Sequence, residues 1–435
     1  MLEKIMRKLK KNNWIAFLAI FCGVLLWSAF KADEETLVIR GGKIVTVTQG
    51  VIEQGILLIQ KGKIVEIGKN ISMPNDARII DASKYPVFPG FIDSFTNLGA
   101  VDIETIEKDY DEATSPVTPE LKIIDAIDPA NSFIPAARKI GITTVLAAPG
   151  IGNLLSGQSA LVHLAGKDII EMIVKFPVAV NGSLGEPPKL RYGKKEQLPS
   201  TRMGEAALIR QTFVDTQDYL NEVLAYQKKL KEHEQKEKEG KSTSEEKPAL
   251  PAANFKLQAL VPVITGELPL ILTANRMDDI LTALRIADEF KLKIILNEGA
   301  DAHKVKDKLS LKNIPVLLRP RAAYRLTVET EGALYENAAL LQKAGIKIAF
   351  QTGSVQNLGD LLYQAQMAIS HGLPYKEALK ALTINPAEIF GVSDKIGSLE
   401  KGKCADIVIF DGDPLISPAQ IRMVIIAGQI VENKM

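Results

Sequence analysis

The sequence predicts a mixed α/β protein: a TIM-like (β/α)8 barrel with a small β-sandwich domain assembled from both chain ends. Three observations predict it. From residue 37 apolar and polar side chains alternate between closely spaced glycines, the same texture returns only near the far end, and the long middle alternates short apolar strands with amphipathic helices. The chain has 435 residues, 46% hydrophobic and 24% charged, enough for a large core with a smaller satellite domain.

Residues 1–32 stand apart. Lys4, Arg7, Lys8, Lys10 and Lys11 precede WIAFLAIFCGVLLWSAF, an uncharged apolar run over residues 14–30. A basic flank followed by an apolar run is the pattern of an export signal or an N-terminal membrane anchor. The run falls slightly short of the about 20 residues of a relaxed spanning helix, while Phe30 sits where a cleavage site prefers a small residue. The expected localisation is therefore periplasmic or extracellular, or anchored in a membrane through residues 14–30. Beyond this segment the one cysteine is Cys404, so no intrachain disulfide framework is available. Lys+Arg 53 against Asp+Glu 52 leaves net charge +1, which gives no reason to expect a nucleic acid as partner.

The stretches LVIRGGKIVTV, GILLIQKGKIVEIG and ARIIDASKYPVFPG read as short antiparallel strands joined by turns at Gly41-Gly42 and Lys61-Gly62. GSLEKGKCADIVIFDGD and MVIIAGQIVENK repeat that texture, so residues 37–88 plus 400–435 are expected to form one composite β domain. Across residues 89–399, ITTVLAAPG, LQALVPVI, PLILTA, LKIILNEG, IPVLLRP and IKIAFQTG are candidate strands, with NRMDDILTALRIADEFK and LGDLLYQAQMAISHG as helices. Alternating units of this length imply a parallel sheet with helices outside, of a size that suits an eight-stranded barrel. A dense mixed-charge insert, residues 225–254, is expected to begin as a solvated helix and end as a flexible excursion.

PVFPGFIDSFTNLGA, residues 86–100, stands where the first barrel strand meets its loop. It resembles the first-strand motif P-G-[FL]-I-D-x-H-x-H of the metal-dependent amidohydrolase superfamily, and TINPAEIFGVSDKIGSLEKGKCADIVIFDGDPL resembles that family's closing motif. IDAIDPANSFIPAARKIGITTVLAAPGIGNLLSGQSALVHLAG, NGSLGEPPKLRYG and TRMG are most similar to an exported, imidazolonepropionase-related branch. The resemblance implies a metal site at the C-terminal mouth of the barrel. Imidazoles there hold Zn²⁺ or a similar ion that lowers the pKa of bound water to about 7, and an aspartate moves the proton.

Aligned on these motifs, the ligand positions carry other residues. Phe95 and Asn97 stand on the H-x-H pair, Thr273 and Asn275 in PLILTANRMDDI on a second pair, Glu298 in LNEGADAH on a histidine, and Gly353 in IAFQTGS on the aspartate. The four histidines, His163, His233, His303 and His371, form no H-x-H, H-x-x-x-H or H-E-x-x-H pattern. His233 and His371 read as solvent-exposed, His163 as a satisfied barrel residue, and His303 as the one imidazole near the mouth. Asp93, Glu186, Lys189, Arg202, Glu298 and His303 remain as possible ligand-binding residues, the stretch 181–193 being read as a rigid loop.

Three functions follow. The first is a catalytically silent amidohydrolase homologue without a cofactor, acting as a homo-oligomer or as a partner of an intact paralogue. The second is an active hydrolase of C–N bonds, using zinc at a relocated site or oxygen ligands. The third is an exported protein that binds a small molecule in the emptied barrel mouth.

Overall fold

A computed structural model describes residues 35–101, 109–239, 247–319 and 327–435; the basic and apolar segment 1–32 lies outside these. The chain opens with β1 (Leu37–Val45), β2 (Val51–Glu53), β3 (Ile56–Gln60), β4 (Lys63–Gly68) and β5 (Arg78–Pro89). The barrel strands follow: β6 (Phe91–Thr96), β7 (Ile142–Ala147), β8 (Leu155–His163), β9 (Ile173–Ser183), β10 (Leu270–Ala274), β11 (Ile294–Glu298), β12 (Val316–Leu318) and β13 (Ile348–Phe350). The chain closes with β14 (Ile407–Phe410), β15 (Ile421–Ile426) and β16 (Gln429–Asn433).

One sheet runs β16-β15-β14-β5-β1-β3-β4, with β2 paired to β1, so strands from the two ends of the chain meet where β14 pairs with β5. Ile39, Ile59 and Ile80 share a core with Ile407, Ile409 and Ile425, while the alternate residues Val408, Phe410, Val424 and Ile426 pack toward the barrel. The two-residue period of the strands makes both faces apolar.

Three local features differ from the sequence expectation. Gly41-Gly42 is no turn: β1 runs through it with a bulge, and a Cβ on Gly42 would stand 2.4 Å from the Ser83 carbonyl oxygen of β5. β1 and β5 pair in parallel, because the β3–β4 hairpin lies between them in the chain and residues 69–77 return it to the start of β1. LQALVPVI belongs to the helix Phe255–Ile264, opened by the Asn254 side chain accepting from Leu257 N. A short apolar run has no period that separates strand from buried helix. Elsewhere Lys61-Gly62 forms its turn, with φ of 52° and 72°.

The second sheet runs β6 to β13 in sequence order and nearly closes into a barrel. Gly353 N donates to Phe95 O at 2.9 Å and Ser94 Oγ to Phe350 O at 2.7 Å across the remaining seam. The sheet is not wholly parallel as expected: β8 runs antiparallel to both β7 and β9. Only residues 148–154 join β7 to β8, too few for the crossover that a parallel neighbour needs. Every strand contributes to an inner core, among others through Ile92, Leu146, Leu161, Ala179, Ile271, Ile295, Leu317 and Ala349.

The stretch read as a rigid loop contains the helix Glu186–Gly193, with proline at its first turn, where a missing N–H costs nothing. The helix Arg202–Lys238 is capped by Thr201 and has its last buried residue at Thr216, so the charged run beyond it is a solvated helix. His163 joins barrel to sheet, its Nε2 lying 3.0 Å from Asp406 Oδ2, and Asp406 Oδ1 accepts from Ala427 N at 2.8 Å. Burial acts to lower the His163 pKa and the Asp406 carboxylate outweighs it, so the imidazole titrates above its ordinary range. His371 and His233 are half-buried rather than exposed: the first stacks on Tyr335 with ring centroids 5.1 Å apart, and the second lies 3.8 Å from Glu237. No described helix is long and apolar enough to cross a membrane.

Candidate functional site

Strand alternation builds the barrel mouth. Two residues beyond the inward Ile271, Ile295, Leu317 and Ala349 stand Thr273, Asn297, Arg319 and Gln351, so an apolar floor gives way to a polar layer. Asn297 Nδ2 donates to Thr273 Oγ1 at 2.9 Å, and Gln351 Nε2 donates to Asn297 Oδ1 at 2.5 Å. The second bond reaches past β12, which places these side chains on the inner face.

Glu298 is out of phase with that layer, but its φ of 68° turns the backbone into the left-handed region, an arrangement that costs a few kcal/mol (about 1–3) and concentrates at functional positions. Its carboxylate accepts from Asn275 Nδ2 at 2.5 Å and from Arg319 Nη1 at 2.8 Å. Asn275 Oδ1 in turn accepts from Ala300 N at 3.1 Å. Gly353, at φ 71°, faces the same guanidinium, and a Cβ there would lie 3.2 Å from Arg319 Nε. Asn97 Oδ1 accepts from Val355 N at 3.0 Å, and Phe95 packs in the inner core with Ile92 and Leu146.

Asp93 lies below the mouth with none of its surface exposed. It accepts from Thr352 N at 2.9 Å, Thr352 Oγ1 at 2.5 Å and Phe95 N at 3.3 Å, tying β6 to the end of β13. Burial outweighs these three bonds and pushes its pKa up to about 7. A carboxyl group raised in this way stabilises the fold most below its unfolded pKa and loses that contribution as pH rises through the folded value. The Asp93→Asn chain should therefore gain on the unaltered chain from about pH 4 to 7, by up to roughly 1.4 kcal/mol per pH unit. Urea midpoints of both chains measured across that range check this; a gap that does not change with pH would refute it.

A second group gathers beside the end of β9. Arg202 donates to Asp279 through Nε at 2.7 Å and Nη2 at 2.9 Å, and to Glu329 Oε2 at 2.8 Å. Glu186 joins through its backbone N–H, which donates to Glu329 Oε1 at 3.0 Å. Glu205 accepts from Gly185 N at 3.0 Å; burial pushes its pKa up to about 7 against the lowering by that hydrogen bond and, to a smaller extent, by Arg202 and Lys189. His303 sits on the turn Ala302–Val305, where burial holds its pKa below the ordinary imidazole value, and it makes no hydrogen bond to Glu298.

The structure thus joins Asn275 to Glu298, sets Gly353 beside them, and keeps Arg202 and Glu186 in a separate ionic group. Sequence reasoning missed Arg319, Asn297, Gln351 and Thr352, together with Asp279, Glu205 and Glu329. Arg319 had a readable signal, as the charged residue that ends IPVLLRP in phase with the inward Leu317.

The resemblance implies zinc, and the donor chemistry tests that implication. The six positions that the resemblance aligns with ligands present phenyl, two amides, a hydroxyl, a hydrogen and one carboxylate, and that carboxylate is already bonded to an amide and a guanidinium. Among the described residues no three His, Cys, Asp or Glu side chains converge as a metal-binding group. These residues do not fit a zinc ion, which takes imidazole, thiolate or free carboxylate ligands.

Residues 292–431 match the amidohydrolase family. The crystal structure of an amidohydrolase from Thermotoga maritima MSB8 is similar with a TM-score of 0.81 and 34% identity, over 91% of this chain and 100% of that one. An imidazolonepropionase from Porphyromonas gingivalis is 25% identical over 387 residues, 82% of each protein. Amidohydrolase tasK of Hapsidospora irregularis is 24% identical over 84% of this chain, which spans only 39% of tasK. With a barrel, a companion sheet and a full-length relative of this identity, the chain belongs to the amidohydrolase superfamily.

Proposed function

We propose that this chain is a member of the amidohydrolase superfamily that has lost its metal ligands and acts as a binding or assembly partner rather than as a metal hydrolase. One observation carries the reading: Glu298, the sole carboxylate at the six ligand positions, is engaged by Asn275 and Arg319 instead of standing free. A hydrolytic site of this kind needs a cation with an open coordination position to activate water, and a neutral amide–hydroxyl layer with one ion pair supplies none. The scaffold offers a polar barrel mouth to a small molecule and its outer face to another chain. A homo-oligomer, or a complex with a relative that keeps its histidines, fits this role. The proposal includes export or membrane anchoring through residues 1–32, on the strength of their basic and apolar pattern.

Elemental analysis of the dialysed chain is expected to find well below one zinc or iron per molecule. Assays with N-acyl amino acids and dipeptides, with and without added Zn²⁺, are expected to show no turnover. Near-stoichiometric metal together with C–N bond hydrolysis would replace this reading with that of an active hydrolase.

A further inference from the structure

We infer that the Arg319 guanidinium is the resident cation of the barrel mouth, standing where the chain's relatives would need a metal ion and excluding one. The inference rests on the metal-free reading above and names the device that makes it self-sufficient.

Four observations meet at this side chain. Leu317 faces the inner core, so Arg319, two residues further along the same strand direction, projects into the mouth rather than outward to solvent. Its Nη1 lies 2.8 Å from Glu298 Oε1, on the position that resembles a histidine ligand. Its Nε lies 3.2 Å from where a Cβ on Gly353 would stand, on the position that resembles the aspartate. The guanidinium therefore lies between two of the positions from which ligands would converge. Its side chain is 22% exposed and that of Glu298 is 5% exposed, so the pair is poorly screened and each charge depends on the other.

A fixed positive charge at this place repels a divalent cation and consumes the carboxylate that would help to hold one. A carboxylate placed at position 353 would be captured by Arg319 before it could serve a metal. Arginine suits the role because it stays charged at every relevant pH, whereas a lysine can lose its proton when buried.

The test compares Gly353→Asp with Gly353→Asn, two side chains of similar shape that share the same backbone strain and differ in charge. In the full chain the Asp variant should melt at a higher temperature than the Asn variant; in the Arg319→Met background the order should reverse. An Asp-minus-Asn difference that ignores residue 319 would overturn the inference. A second arm adds Phe95→His, Asn97→His, Thr273→His, Asn275→His, Glu298→His and Gly353→Asp together, titrated with Zn²⁺ alone. Zinc should bind at least about tenfold more tightly once Arg319→Met is included; equal binding with Arg319 present would also overturn it. If the sixfold variant does not fold, the Gly353 comparison decides by itself. Zinc bound stoichiometrically by the unaltered chain would instead defeat the metal-free reading, a failure visible in a different measurement.

Discussion

Replacing Arg202 by Met lowers the unfolding free energy by about 3 kcal/mol at pH 8, the lower end of what it costs to leave buried charges unpaired. Asp279 is 3% exposed and Glu329 is 9% exposed, and among the described residues both take their cationic hydrogen bonds from this guanidinium. The guanidinium itself is 29% exposed, so water offsets part of its removal and the lower end applies. Burial already holds the Glu329 pKa above the ordinary carboxylate value, and without Arg202 Glu329 takes up a proton more readily. The loss should therefore shrink toward pH 5, where protonation relieves the unpaired charges. Adding Asp279→Asn and Glu329→Gln should recover much of the deficit at pH 8. Denaturant titrations of the single and triple variants measure this, and a pH-independent loss with no recovery would show that Arg202 acts through packing alone.

Phe410→Ala should cost about 3–5 kcal/mol, the usual penalty for emptying a large aromatic site in a packed core. Phe410 is 1% exposed and lies where the two sheets meet: its ring is 6.0 Å from that of Phe88 in an edge-on contact and 5.9 Å from that of Phe91. Phe88 lies near the end of β5 in the composite sheet and Phe91 begins β6 in the barrel, so one truncation opens a void between both sheets. Phe410→Leu should cost clearly less because it refills part of that volume. Thermal unfolding of the two variants tests the order; a Leu variant as unstable as the Ala variant would point to lost ring geometry instead of lost volume.

These cases show what a sequence of this kind makes readable. Alternation and its return at the far end identified the strands of one sheet, because a period of two is a local property. The same period runs from Leu317 to Arg319, a local signal for the mouth that alignment on motifs alone passes over. What stayed hidden depended on spatial neighbours. Nothing local announces that Gly42 lies against Ser83 and so belongs inside a strand rather than at a turn. LQALVPVI carries apolar content without a resolving period, and its helix is set by the Asn254 cap and by burial of Leu260 and Val263. The orientation of β8 followed from the length of one connection, which was readable but outweighed by the regular βα texture on either side. At the site, motif alignment singles out Asn275 and Glu298 separately, whereas their bond to each other depends on a backbone φ that no motif records.

The meeting of β5 with β14 has a consequence for the order of events during synthesis. Ile407 pairs with Pro89 and Ile409 with Val87, so the partner of an early strand leaves the ribosome only after the whole barrel has been made. At roughly 5–20 residues per second the first strands wait for many seconds with an apolar edge uncovered. The β1–β3–β4 group can form from its own local pairings during that delay, but the edge of β5 cannot be covered until its C-terminal partner arrives. A chain stalled just before residue 400 would hold a nearly complete barrel beside an unpaired strand, which is the arrangement most prone to pair with another molecule. Nascent chains arrested at that length should accordingly require a chaperone that shields strand edges, and release from it should coincide with emergence of β14 and β15.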